Sequence, residues 1–224
     1  MGLNKINKPE ALAKTAYRIL RRSILTNDLT VGVVYNEKSL ANDLGISRTP
    51  VREALLELSS KRLVKFLPQK GVIINVFSNK EIDDVFEIRT ALEVFSIKKI
   101  CLSYKTLDIS HLTKDLNDQK NAARLKNKLE FMEADRSFHI GFSRLAQNNY
   151  LEDMMQDIRD IMHLMGFRAL DIEGRIKEVV IEHENILNAI VKGDVSLAKE
   201  HMTHHLEVSK KAVKQIYQDE NRQT

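Results

Sequence analysis

The stretch Ser47-Arg48-Thr49-Pro50-Val51-Arg52-Glu53-Ala54-Leu55-Leu56-Glu57-Leu58 constrains the fold more than any other part of the chain. Val51, Ala54, Leu55 and Leu58 recur at i, i+3, i+4 and i+7, the apolar stripe of a helix expected over 47–60. Arg48, Thr49 and Arg52 gather at its N-terminal end. Pro50 suits the first helical position, with Thr49 held out of the α region as the cap. Upstream, Leu40, Ala41 and Leu44 form a short apolar face that ends at Gly45, which predicts a helix over 36–45. Two short helices joined by Gly45-Ile46-Ser47 read as a helix-turn-helix, the second helix entering the DNA major groove by its N-terminal end. A surface helix with two solvated arginines has the same local pattern, so the flanks must decide between the two.

The flanks favour the DNA reading. Residues 1–10 read as a frayed arm, and a first helix over 12–25 carries Ala16, Ile19, Leu20 and Ile24 inward with Arg18, Arg21 and Arg22 outside. Asn27 to Tyr35 reads as a loop around Gly32. Leu63 to Phe66 and Val72 to Val76 are two short apolar strands around Pro68-Gln69-Lys70-Gly71, a β-hairpin with Lys70-Gly71 at its tip. Helix, helix-turn-helix and hairpin in this order make a winged helix. Charge agrees: residues 1–78 hold 13 Lys and Arg against 6 Asp and Glu, whereas residues 79–224 hold 22 against 25. A basic segment ahead of a mildly acidic one points to a polyanion partner for the first alone.

Ser78-Asn79-Lys80-Glu81 is a capping box that opens a second domain. About six helices follow, over roughly 80–102, 107–126, 127–147, 151–165, 176–192 and 194–216. The first turns Ile82, Val85, Phe86, Leu92 and Ile100 inward, and the fourth carries a stripe of Leu151, Met154, Met155, Ile158, Met162 and Met165 that reads as adaptable core. Few glycines and prolines, and no strand pattern, give an antiparallel all-α bundle. The expected fold is therefore mainly α: a winged helix-turn-helix over 9–77 and a helical bundle over 78–219.

Four polar residues interrupt the apolar faces of that bundle. Asp135 and His139, at i and i+4, share the face that carries Phe131, Phe138 and Phe142; His183 lies between Val179-Val180 and Ile186-Leu187, and His205 follows Met202. One carboxylate and three imidazoles converging in a bundle suit Zn²⁺, Ni²⁺, Mn²⁺ or Fe²⁺. Each histidine also fits a core residue hydrogen-bonded to a neighbour. His201, one turn before His205, is the rival ligand on the last helix, and His204 a further one. Arg89, among Val85, Phe86 and Leu92, needs a partner: Glu87, Glu93, a neighbouring helix or an anionic ligand.

Residues 12–76 resemble the DNA-binding domain of the GntR family of bacterial transcription regulators, on Leu40-Ala41 through Gly45, Ser47 to Leu55 and the Pro68…Gly71 turn. The resemblance implies operator contacts from Arg48, Thr49 and Arg52, backbone contacts near Ser47 and Lys38, and a wing, Lys70 and Gly71, approaching the minor groove. Three positions depart from the family pattern. Val31 precedes Gly32 where proline is usual, and Lys70 replaces the commoner arginine, losing its planar fork. Arg62 replaces the glycine that ends the recognition helix, so it takes a left-handed conformation at roughly 1–2 kcal/mol or the helix ends differently.

The second half resembles the FCD ligand domain of the FadR subfamily, on Glu87-Ile88-Arg89-Thr90-Ala91-Leu92-Glu93, Asp135-Arg136-Ser137-Phe138-His139, Asn149-Tyr150-Leu151, Glu182-His183 and Ala198 to His205-Leu206. That resemblance implies Asp135, His139, His183 and His205 as the ligands of a divalent metal, for which the donor set puts zinc ahead of nickel, manganese or iron. It also implies a small organic acid held by Arg89 beside the metal. A single winged helix reads few base pairs, so a homodimer on an inverted-repeat, double-stranded operator is expected. The function expected is an effector-responsive, non-enzymatic transcription regulator. A metalloenzyme with a DNA-targeting module, or a constitutive repressor with a purely structural metal, would carry the same residues. Cys101 is the only cysteine, no apolar run reaches membrane-spanning length and no signal-peptide core is present, so the cytoplasm and no membrane partner are expected.

Overall fold

Helix α1 (Leu12–Leu25) buries Ala16, Leu20 and Ile24 at four-residue spacing, while Ile19, expected on that face, is exposed. The structure, a computed structural model, describes residues 12–221, so the arm expected over 1–10 lies outside the described residues. The chain divides into two units, Met1–Val76 and Phe77–Thr224.

In the first unit α1 is followed by β1 (Val34–Tyr35), α2 (Glu37–Asp43), α3 (Arg48–Ser60), β2 (Val64–Leu67) and β3 (Gly71–Ile74). The strands form one antiparallel sheet in the order β1-β3-β2, with Val34 and Lys65 both opposite Ile73. The wing therefore has three strands, and the third comes from the stretch expected to be only a loop. Two residues are too few to show alternation in sequence, and Tyr35 is held by its pairing with Val72.

Helix ends follow local chemistry. Gly45 is left-handed after α2, with its N–H on Asn42 O and that of Ile46 on Ala41 O. α3 is capped by extended Ser47, and Thr49 is already helical, contrary to the expected cap. Pro50 occupies the third helical position, which is tolerated because the first four N–H groups of a helix have no partner within it. Arg62 does take the left-handed conformation, at φ 58°, where its N–H donates to Ser59 O and that of Leu63 to Leu58 O. α3 packs Val51, Ala54, Leu55 and Leu58 inward as its period requires, in contact with α1 and α2.

The second unit is all helical among the described residues: α4 (Asn79–Ser103), α5 (Ser110–Leu125), α6 (Lys128–Leu145), α7 (Asn149–Gly166), α8 (Arg175–Val191) and α9 (Val195–Asn221), with short 3₁₀ turns at 104–106 and 168–171. Ser78 and Glu81 close the capping box reciprocally, Ser78 N–H to Glu81 Oε2 at 2.8 Å and Glu81 N–H to Ser78 Oγ at 3.2 Å. Asp194 caps α9 through Leu197 N–H. Ile82, Phe86, Ile97 and Ile100 of α4 meet Phe138, Phe142, Met162, Ile186, Ile190, Met202 and Leu206 in one core. Met154, expected in that core, is exposed, and the buried stripe of α7 runs Leu151, Met155, Met162 and Met165. Inside the bundle lies a seam of buried polar groups much richer than four residues: Arg89, Glu93, Gln119, Asp135, His139, Arg159, Arg175, His183 and His205 are each at most 8% exposed.

Candidate functional site

In the first unit, α3 presents Ser47, Arg48, Thr49 and Arg52 to solvent at its N-terminal end, and Lys38 is exposed in the first turn of α2. Arg48 and Arg52 are not loose. Glu37, at the start of α2, reaches both: Oε2 lies 3.6 Å from Arg48 Nη2 and Oε1 3.4 Å from Arg52 Nη1. Glu37 is largely buried beneath them, so one carboxylate holds the two guanidinium groups together. A hollow between this helix end and the wing turn is lined by Arg48, Arg52, Gln69, Lys70 and Gly71. Gly71 has φ +129°, and a Cβ there would fall 2.2 Å from the Tyr35 carbonyl oxygen. Close approach of β1 therefore requires glycine, independently of any contact with DNA.

In the second unit, His139 of α6, His183 of α8 and His205 of α9 meet, each offering one donor nitrogen within 4.8 Å of the others. Their tautomers follow from their neighbours. His139 Nδ1 lies 2.5 Å from Glu93 Oε2 and His205 Nδ1 2.6 Å from Glu182 Oε2; a carboxylate only accepts, so both Nδ1 atoms carry the proton. His183 Nδ1 lies 2.7 Å from Gln119 Oε1, and the Gln119 amide is turned that way because its Nε2 donates to Ala134 O at 3.4 Å. All three Nε2 atoms are therefore the unprotonated ones, and that of His139 accepts from Arg89. His183 Nε2 and His205 Nε2 stand 3.4 Å apart, and the His183 ring stacks on Phe138 at 4.6 Å between centroids.

Asp135, one turn before His139 on α6, is shared. Its Oδ1 lies 3.7 Å from His139 Nε2 and 3.9 Å from His183 Nε2, while its Oδ2 accepts from Arg159 of α7. Arg89 of α4 pairs with Glu93 at 2.6 Å, one of the partners expected for it, and donates from Nη2 to His139 Nε2 at 2.9 Å. His201 and His204 line a separate surface hollow on α9 with Glu178 and Glu182, outside the triad.

Electrostatics keep the donors available. Burial, reinforced by Arg89 and Arg159, holds His139 well below its usual pKa; burial and His205 do the same for His183. Burial also lowers His205, against the pull of Glu182. Burial alone would raise Asp135, but Arg159 and the imidazoles outweigh it and hold the carboxyl below its usual range. Glu182 falls to about 2 because its bonds to His205 and Arg175 outweigh its burial. Neutral imidazoles with anchored Nδ1 atoms, plus one carboxylate, are the donor set of a first-row divalent metal, and the anchoring partners fix ring orientation. The residues present fit such an ion.

Beside the triad a cavity of about 440 Å³, its mouth included, has a polar wall of Arg89, Asp135, Arg159, Arg175, His205 and Ser209, and an apolar wall that includes Met132, Met162 and Val179. Arg175 is paired bidentately with Glu182 at 2.6 and 2.9 Å and donates to Ser209 Oγ at 3.0 Å. Gln119, Arg159 and Arg175 were not singled out from the sequence, whereas Glu93 was named only as a partner for Arg89 and Glu182 only within the Glu182-His183 stretch. Two had a readable signal: Glu93 stands four residues after Arg89 on the same helix, and Arg159 is a charge set between Ile158 and Ile161.

Comparison with known proteins agrees with both halves. Residues 12–74 match the bacterial regulatory proteins of the gntR family, and residues 84–208 match the FCD domain. The chain is 26% identical over 215 residues to the HTH-type transcriptional repressor RspR of Escherichia coli K12, covering 96% of this chain and 94% of the relative. It is 27% identical over 179 residues to the gluconate operon transcriptional repressor of Bacillus licheniformis, covering 79% and 72%. The solved structure of E. coli McbR/YncC shares the fold, with a TM-score of 0.79 at 19% identity over 93% of this chain and 100% of that one.

Proposed function

The chain belongs to the GntR family of transcription regulators and carries an FCD domain, and from that premise we propose that its DNA binding is controlled by a small organic acid held at a metal site in the helical unit. The observation that carries the proposal is the meeting of three unprotonated Nε2 atoms, on His139, His183 and His205, each with its Nδ1 anchored. The His183 and His205 lone pairs repel at 3.4 Å while that of His139 accepts from Arg89, and a cation at their focus would relieve that repulsion and take the place of Arg89 on His139. His139, His183, His205 and Asp135 would hold the ion, zinc first, with nickel, manganese or iron as alternatives. When bound, the metal supplies Lewis-acidic positions for an oxygen ligand. Arg89, on the cavity wall, would hold the acid's carboxylate.

On the DNA side, Arg48, Thr49 and Arg52 would read base edges and phosphates, Ser47 and Lys38 would meet the backbone, and the wing with Lys70 and Gly71 would approach the minor groove. A FadR-type homodimer on an inverted repeat gives two such helices a twofold site. The relatives named as repressors support repression, which the acid would relieve, and one of them is named for an operon of a sugar acid, gluconate. The acid must interact differently with the DNA-competent and DNA-incompetent states, or it shifts nothing.

Native mass spectrometry of protein purified without added metal tests this reading, followed by operator titration with any acid that co-purifies. The expected result is one metal per chain and weaker operator binding with the acid in wild type but not in Arg89→Ala. An acid that shifts wild type, Arg89→Ala and metal-stripped protein equally would place the effector elsewhere.

A further inference from the structure

The charges around the cavity are matched in pairs. Arg89 faces Glu93, Arg159 faces Asp135 and Arg175 faces Glu182, three buried cations against three carboxylates. The neighbouring buried Asp160 is met by Arg136 at 2.9 Å. The three imidazoles coordinate as neutral donors. A divalent ion at the triad therefore adds two positive charges to buried pairs that already balance one another, and buried charge is tolerated only when compensated. Arg159 adds a second, independent sign: it lines the cavity, is 2% exposed, and its Nε has no hydrogen-bond partner among the described residues.

We propose that the effector is a dianion, a small dicarboxylic acid, with one carboxylate at Arg89 and the second at Arg159. The proposal rests on the metal-and-acid reading above and deepens it. Arg159 becomes the residue that sets selectivity. A planar guanidinium with a spare N–H suits a second carboxylate, and a monoacid leaves that donor and one positive charge unanswered. The apolar wall of the pocket suits a short methylene spacer between the two carboxylates.

Calorimetric titration of the zinc-loaded full chain with succinate, L-malate, butyrate and gluconate tests the proposal. Bound zinc is measured in every sample, and zinc affinity is measured by chelator competition with and without each acid. At least one diacid is expected to bind about tenfold or more tighter than either monoacid, in line with the strength of an added buried charge-assisted pair. By linkage, that diacid should raise zinc affinity by the factor by which bound zinc raises affinity for the diacid. Arg159→Gln should remove most of the preference by weakening the diacid, and Arg159→Lys should keep it in reduced form. If butyrate or gluconate matches the diacids in wild type, or if Arg159→Gln keeps the full preference, the dianion proposal fails and the metal-and-acid reading stands. If zinc binds and none of the four acids does, the acid reading itself fails, and the dianion proposal with it.

Discussion

His183 Nε2 and His205 Nε2 face each other 3.4 Å apart with no proton between them, because the proton of each ring is committed on its far side, to Gln119 and to Glu182. A folded interior does not ordinarily hold two such acceptors together. The pair turns three scattered histidines into a directed donor set, and it is the helix partners behind the rings that aim them.

Those partners are therefore testable apart from the ligands. Gln119→Leu removes the acceptor that fixes the His183 ring while leaving every metal donor in place. Zinc affinity should fall about 10–100-fold, the usual effect of losing such an orienting bond. Competition with a chelator measures it, and an unchanged affinity would mean the ring is aimed by packing on Phe138 alone.

Arg48→Ala and Arg52→Ala should each cost about 1–3 kcal/mol of specific operator binding if the lost contact is to a base edge. Titration at matched salt reads the loss. Wild-type affinity in both variants would remove α3 from the role of recognition helix.

Glu37 bridges those two arginines, so its loss should act in the opposite sense. Glu37→Gln should strengthen nonspecific DNA binding and steepen its salt dependence by about one unit of log–log slope, because a guanidinium released from the carboxylate is free to meet a phosphate. Operator selectivity should narrow. A variant with unaltered salt slope and selectivity would show that the bridge does not restrain the arginines.

Gly71→Ala should destabilise the wing by about 1–3 kcal/mol, since the new methyl would meet the Tyr35 carbonyl in a backbone conformation that alanine rarely adopts. Thermal unfolding without DNA shows it. Full stability with weakened operator binding would instead assign Gly71 to the groove alone.

Cys101 is buried, and burial pushes its thiol up to about 11. At pH 8 little thiolate forms, so a thiol reagent such as DTNB should react slowly with the native chain and quickly with one thiol per chain in denaturant. Fast reaction of native protein would mean that α4 opens around it.

What was legible in the sequence was whatever repeats within one element. The stripe of α3, the Ser78–Glu81 capping box, Gly45 and the Asp135/His139 pair are all local, and each stands where the spacing predicts. β1 was missed because two residues carry no period and Tyr35 pairs with a residue 37 positions later. Met154 and Ile19 were misplaced by widening an apolar stripe that the packing keeps narrow. The orienting shell was hidden for a different reason: Glu93, Gln119 and Glu182 reach their histidines across helix–helix contacts from 46, 64 and 23 residues away. No spacing within one helix encodes such a contact.

The most direct measurement is metal stoichiometry by elemental analysis after zinc incubation and gel filtration, on wild type, His139→Ala, His183→Ala, His205→Ala and His201→Ala. The account predicts one zinc per chain in wild type and in His201→Ala, and clear depletion in the three triad variants. Wild type without bound zinc, or full occupancy in His183→Ala, would contradict it.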